Sequence, residues 1–76
     1  MTDTTLTYDI ENGVCTFTIE SLKARAVTVS IYEVLSNDRL QCISIFTIIL
    51  DENNEFKESK SFITEKDVEY LIKVII

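Results

Sequence analysis

The chain has no histidine, no proline and no tryptophan, and it has a single glycine, Gly13. Without histidine it lacks the commonest general base and metal ligand. Its two cysteines, Cys15 and Cys42, are too few for an all-thiolate zinc site. One glycine is also too few for a phosphate-binding loop of the GxxxxGK type. We therefore predict that the protein is not an enzyme and has no catalytic residues, no metal and no cofactor.

Long apolar runs and basic clusters are also scarce. The longest apolar stretch, residues 43–50, is interrupted by Ser44 and Thr47 and is far shorter than the ~20 residues of a transmembrane helix. The first residues show no charged-then-apolar signal sequence. Thirteen acidic against seven basic residues give a net charge of −6, which does not suit binding to a phosphate backbone. We predict a cytoplasmic protein with no membrane contact and no direct nucleic-acid contact.

Apolar residues are plentiful, at 46% of the 76 residues, and this composition predicts a folded chain with one domain, residues 1–76. A chain of this length has a thin core. Eleven residues are isoleucine, and amino acids with AT-rich codons are common throughout. This usage indicates an AT-rich genome, such as that of a low-GC bacterium or one of its phages.

The first hairpin gives the clearest structural signal. Apolar residues alternate along residues 6–11 and again along 14–20, which is the period of a β-strand. Asn12-Gly13 between them is the typical pair of a type I′ turn. A two-residue turn fixes the register, and it predicts three apolar pairs on one face: Ile10 with Cys15, Tyr8 with Phe17, and Leu6 with Ile19.

A second hairpin is predicted over residues 27–50, with a turn at residues 36–39. The pattern leaves its register open, because Val29 can pair with Phe46 or, after a one-residue change of the loop, with Ile45. Residues 40–50 form a long strand that is apolar on both faces. A strand of this kind lies centrally in a sheet, or else one of its faces meets a partner.

The rest of the chain predicts an edge strand and a helix. Residues 56–61 carry charges that protect an edge strand from unwanted pairing. Thr64 has the position of a helix N-cap, and a helical stripe follows at Val68, Leu71, Ile72 and Ile75. The predicted fold class is α+β, with a mostly antiparallel sheet of about five strands, arranged as two hairpins plus an edge strand. One C-terminal helix packs on this sheet.

Two surfaces are candidate binding sites. An acidic ridge would contact a basic-surfaced protein, because residues 51–69 hold seven acids and three lysines, a local charge of −4. Its members are Asp51, Glu52, Glu55 and Glu58. A second, apolar set would bring two copies together as a homodimer, and it consists of Tyr32, Ile43, Ile45, Ile49, Ile75 and Ile76.

These features predict a small acidic protein that binds another protein without catalysis. Its size, charge and codon usage suit a phage or mobile-element inhibitor of a bacterial host-defence protein that handles nucleic acid. Such an inhibitor would act by covering a surface or by imitating nucleic acid, since nucleic-acid channels are basic. The alternative is a structural homo-oligomerisation module that uses the doubly apolar strand, residues 42–50.

Overall fold

The structure, a computed structural model, describes residues 3–76. Within these residues the chain forms strands and one short 3₁₀ turn at Glu52–Asn54, with no α-helix. The six strands are β1 (Thr4–Glu11), β2 (Val14–Ser21), β3 (Arg25–Val34), β4 (Leu40–Leu50), β5 (Lys57–Ile63) and β6 (Glu69–Ile75). They form two antiparallel sheets: sheet A, in the order β1-β2-β5, and sheet B, in the order β4-β3-β6.

The first hairpin has the predicted register. β1 and β2 pair Ile10 with Cys15, Tyr8 with Phe17 and Leu6 with Ile19, so the prediction is confirmed. Asn12 and Gly13 both have positive φ, at 54° and 79°, as a type I′ turn requires. Glycine adopts this conformation at no steric cost, so the turn and the apolar pattern specify the same pairing.

The second hairpin has the symmetric register, with Val29 opposite Phe46. The pairing shifts by one residue between Ile31 and Tyr32, so that Ile31 lies opposite Ser44 whereas Tyr32 lies opposite Cys42. Ile43 is the extra residue of this β-bulge. A bulge redirects the side chain of its extra residue, and Ile43 is thereby removed from the face on which Ile45 and Ile49 lie.

The predicted C-terminal helix is wrong, and with it the α+β fold class, because the described chain is nearly all β. Residues 69–75 pair with β3 through seven residue pairs. Tyr70, Ile72 and Val74 alternate along this strand and pack against the core, whereas Leu71 and Ile75 of the predicted helical stripe lie on the other face. The amide of Thr64 donates to Gly13 O at 2.8 Å, so Thr64 belongs to a turn and caps no helix.

The prediction that β4 is a central strand is also wrong. β6 occupies the far side of β3, and β4 is left at the edge of sheet B. Only one face of β4 reaches the core, through Ile48 and Leu50, which are buried. By contrast, the predicted charged edge strand is confirmed as β5, at the edge of sheet A.

The core lies between the two stacked sheets. Phe17 is at its centre, 1% exposed, with its ring centroid 6.2 Å from that of Phe46 and 6.3 Å from that of Phe62. These rings join β2, β4 and β5, and so connect the two sheets. The other buried apolar side chains of the cluster are Ile19, Val27, Val29, Ile31, Ile48 and Leu50. Each sheet turns its inner face toward this core, but Tyr8 and Ile10 on the inner side of β1 stay 65% and 53% exposed.

Candidate functional site

The outer face of sheet B, here called the apolar face, is the first candidate binding surface. Alternation along the three strands gives its members: Leu40, Cys42, Ile45, Thr47 and Ile49 on β4; Ala26, Thr28, Ser30, Tyr32 and Val34 on β3; and Glu69, Leu71, Lys73 and Ile75 on β6. Ile45 is 65% exposed, Ile49 57% and Ile75 53%. Its two charged members, Glu69 and Lys73, lie on β6, so the β3–β4 half is free of formal charge.

The outer face of sheet A has the opposite character. It carries hydroxyl and charged side chains, and its hydroxyls are paired across strands. Thr16 Oγ1 lies 2.9 Å from Ser61 Oγ, and Thr18 Oγ1 lies 2.7 Å from Ser59 Oγ. A polar outer face is what an antiparallel sheet presents to water. The apolar face of sheet B departs from that pattern, and contiguous exposed apolar surface marks interaction sites.

The apolar face is grooved along its middle. The central strand β3 contributes three small side chains, Ala26, Thr28 and Ser30. Their neighbours on β4 are Ile49, Thr47 and Ile45, and on β6 Ile75 lies beside Thr28 and Lys73 beside Ser30. Ser30 is only 1% exposed, although it faces outward, because it lies between Ile45 on β4 and Lys73 on β6. The β4 side chains therefore form a ridge beside a groove floored by β3.

The structure brings together four of the six residues predicted for self-association. Tyr32, Ile45, Ile49 and Ile75 all lie on the apolar face. The bulge moves Ile43 away, to the rim of a cleft between β4 and β5. Ile76 follows the end of β6 and is 51% exposed.

The two leucines of the apolar face were not among the site residues predicted from the sequence. Leu71 is 40% exposed, whereas the helical stripe had assigned it to a buried face. The alternation of residues 69–75 was the signal that could have identified it. Leu40 is 47% exposed and begins β4, but the register of this hairpin was open, and no pattern distinguished its face.

Tyr32 closes one end of the groove. Its ring is half-buried, and Lys73 Nζ lies 5.9 Å from the ring centroid. This is within the range of a cation–π contact. The contact places the Lys73 ammonium group, which comes from β6, over an aromatic ring of the central strand β3.

The four residues of the predicted acidic ridge have different surroundings in the structure. Asp51 caps the 3₁₀ turn, where its carboxylate accepts from the Asn53 amide at 2.9 Å. Asn54 closes the turn from the other side, since its Oδ1 accepts from the Asp51 amide at 3.0 Å and its Nδ2 donates to Glu58 at 3.4 Å. Asp51 and Glu58 are therefore partly engaged within the loop, and Glu52 and Glu55 are the exposed members.

Asn54 was not identified from the sequence as a residue that organises this loop. Its Nδ2 also donates to Ile49 O at 2.9 Å, which ties the turn to the end of β4. Together with Asp51 it forms a reciprocal capping box. The spacing of Asp51 and Asn54, three residues apart, is the signal that could have revealed it.

The two cysteines lie in different surroundings. Cys15 is 1% exposed, and its burial raises the pKa of the thiol above its ordinary value, an effect to which the nearby Asp9 carboxylate adds. A thiol with a raised pKa is a poor nucleophile. Cys42 is exposed on the apolar face, and both cysteines are free.

Other kinds of site find little support in the described residues. Within residues 3–76, no three or more cysteine, aspartate or glutamate side chains are grouped so that they could hold a metal ion. No helix in that part of the chain is long and apolar enough to cross a membrane. Comparisons with protein-family models, curated proteins and solved structures found no match.

Proposed function

We propose that this protein is a non-enzymatic association module whose working surface is the apolar face of sheet B. The observation that carries the proposal is the contrast between the two outer faces. One presents hydroxyls that are already paired, at 2.9 and 2.7 Å, and the other presents isoleucines that are 57–65% exposed on its edge strand. Burying the outer face of sheet B removes apolar surface from water, whereas burying the outer face of sheet A gains little.

A second copy of the chain is the partner that this face suits. The chain carries a net charge of −6, but the β3–β4 half of the face has no formal charge to oppose a second copy. A standard interface needs about 800 Å² per partner, roughly one seventh of the 5388 Å² surface. The broad side of a molecule measuring 40 × 25 × 20 Å has room for it.

The shape of the face supports a particular packing. In a two-fold dimer, the same patch of each copy meets the other. With the axis parallel to the strands and between β3 and β4, the β4 ridge of each copy lies in the β3 groove of the other. Ile45 and Ile49 then fill the space above Ala26, Thr28 and Ser30. Lys73 and Glu69 remain at the rim, where charged groups normally lie in interfaces.

Two substitutions test this packing by sedimentation equilibrium. Ile45→Glu places an unpaired carboxylate in the interface, and we expect it to weaken the dimer by more than about a hundredfold. The matched control, Thr7→Glu on the outer face of sheet A, is expected to leave the dimer intact. A single species of 8.7 kDa for the unmodified chain at about 100 μM, well above the Kd of a weak interface, would contradict the proposal.

Ala26→Leu extends this test and separates specific packing from general stickiness. The substitution adds apolar surface, so non-specific association would become stronger. In the proposed packing it fills the groove and blocks the ridge, and we expect about tenfold weaker association. If Ile45→Glu disrupts the dimer while Ala26→Leu strengthens it, the face is the interface but the ridge-in-groove packing is wrong.

A second candidate function follows from the acidic loop. Glu52 and Glu55 are both exposed on the loop in which Asp51 and Asn54 form a reciprocal capping box. We propose as an alternative that this loop inhibits a basic-surfaced bacterial host-defence protein in the host cytoplasm, as a phage-encoded protein would. Exposed acids steer association with a basic surface. A dimer through sheet B would display two such loops.

Phage plating on a low-GC bacterium with an active defence nuclease tests the inhibitor function. Expression of the chain is expected to raise plating efficiency, and Glu52→Lys with Glu55→Lys is expected to return it to background, because both contacts become repulsive. The control is Glu11→Lys with Glu65→Lys, which makes the same charge change at exposed sites near the Asn12-Gly13 turn. Equal loss in both variants would argue against a specific role of the loop.

A further inference from the structure

A cleft of about 430 Å³ lies between β4 and β5, where the edges of the two sheets face each other without pairing. Its apolar lining comes from the core, through Phe17, Ile31, Phe46 and Phe62. Ile43, the extra residue of the β-bulge, and Ile63, 83% exposed, stand among the lining residues at its rim. The volume lies within the range of ~300–1,000 Å³ that small-molecule sites occupy.

A lysine stands among these apolar side chains. Lys60 lies opposite Phe17 in the β2–β5 pairing, so its side chain shares the inner side of sheet A and lines the cleft. Among residues 3–76, Lys23 and Arg25 make ion pairs with Asp3, at 3.6 and 2.6 Å, but Lys60 makes none. Lys60, which is exposed, is the only charged residue among those that line the cleft, so the lining combines apolar side chains with one positive charge. Glu58 lies two residues away on the same side of β5 but is not part of the lining.

Edge protection explains part of this arrangement. An inward-pointing charge on an edge strand discourages pairing with another chain, and this accounts for a lysine on β5. It does not account for the open volume beside the lysine, which is lined by Phe17 and by the rings of Phe46 and Phe62, whose centroids lie 6.2 and 6.3 Å from that of Phe17. As edge strands, β4 and β5 also leave backbone N–H groups unpaired beside the cleft, and these can donate to an anionic group.

We propose that the cleft between β4 and β5 binds an amphipathic carboxylate, with its apolar body against the phenylalanine rings and its carboxylate on Lys60. The ligand class follows from charge complementarity. An apolar body gains from contact with the rings, and a single anionic head matches a single ammonium group. The proposal rests on different side chains from the association of sheet B, since Thr47 is the only residue of the cleft lining that also belongs to the apolar face.

The overall charge of the chain makes the test discriminating. At a net charge of −6, non-specific binding favours a cationic amphiphile over an anionic one. A site centred on Lys60 predicts the reverse order. Laurate, dodecanol and dodecyltrimethylammonium share the same apolar tail and differ in the head group, so their order of affinity reports on the lysine.

Isothermal titration of the full chain with these three probes, each below its micelle concentration, measures that order. We expect laurate to bind most tightly, and Lys60→Met to weaken laurate by about five- to tenfold while leaving dodecanol unchanged. The matched control is Lys57→Met, on the same strand but on the outer side opposite Glu20, and it is expected to bind laurate normally.

Two results would overturn the assignment. The first is an order in which dodecyltrimethylammonium binds at least as tightly as laurate, since that order describes adsorption to an acidic surface. The second is equal loss of laurate binding in the Lys60→Met and Lys57→Met variants. Repeating the titration with Ile45→Glu separates the two proposals, because loss of the dimer leaves this cleft in place.

Discussion

Phe17→Ala is expected to lower the free energy of unfolding by about 4 kcal/mol. Phe17 is 1% exposed and contacts the aromatic rings of both sheets, through Phe46 at 6.2 Å and Phe62 at 6.3 Å. Truncating it removes this connection and leaves a cavity between the sheets. A chain of this length has a total stability of about 4–11 kcal/mol, so the variant is close to unfolding. Urea denaturation followed by circular dichroism measures the change.

Phe17→Leu is the matched control for this prediction. It keeps most of the apolar volume, and we expect a loss of about 1.5 kcal/mol. If Phe17→Ala costs less than about 1 kcal/mol, the two sheets are not packed through Phe17, and the arrangement described for the core is wrong.

Ile72→Asp is expected to destabilise the protein by about 3 kcal/mol or more, whereas Leu71→Asp is expected to change stability by less than about 1 kcal/mol. The two residues are neighbours, but Ile72 packs against the core and Leu71 is 40% exposed on the outer face of sheet B. In a helix with the stripe Leu71-Ile72 both substitutions would be severe. The comparison therefore measures whether residues 69–75 form a strand.

The stability of both variants is measured by thermal and urea denaturation at low protein concentration. Dilution favours the monomer, so association does not contribute to the difference. Equal and large losses in both variants would contradict the strand β6 and favour a helix. Equal and small losses would mean that the end of the chain contributes little to the core.

The first hairpin could be predicted because its information is local. Asn12-Gly13 specifies the turn, and the alternation on both sides specifies the face, so the two signals reinforce each other. The second hairpin was predicted as an element, but its register was not. The bulge at Ile43 depends on how β3 and β4 pair, and no local residue pattern announced it.

The helix prediction failed because residues 68–75 satisfy two periods at once. Val68, Leu71, Ile72 and Ile75 fit a helical stripe, and the sequence Tyr70 to Val74 also alternates. The free edge of β3 decides between them, since seven residue pairs with β6 satisfy its backbone groups. The strand β3 that pairs with β6 is distant from it in sequence, so no local pattern reveals the pairing. Because β6 occupies the far side of β3, β4 lies at the edge of the sheet and not at its centre.

The candidate sites, like the strands, could be predicted only in part from the sequence. The apolar pattern of residues 40–50 drew attention to Ile45 and Ile49, which the structure leaves exposed, and their role in self-association stays a prediction. The groove at Ser30 could not be anticipated, since its depth depends on side chains of two neighbouring strands. The acidic ridge was defined by charge alone, and charge does not show that Asp51 serves as a cap while Glu52 and Glu55 remain exposed.

The central claim, that the apolar face of sheet B is the association surface, is tested most directly by following backbone amide NMR signals as the protein is diluted. The account predicts concentration-dependent shifts at Ala26–Ser30 and Ile45–Ile49, and unchanged signals for Thr7 and Thr18 on the outer face of sheet A. Shifts concentrated at Glu52 and Glu55, or an absence of shifts from millimolar to micromolar concentration, would contradict it.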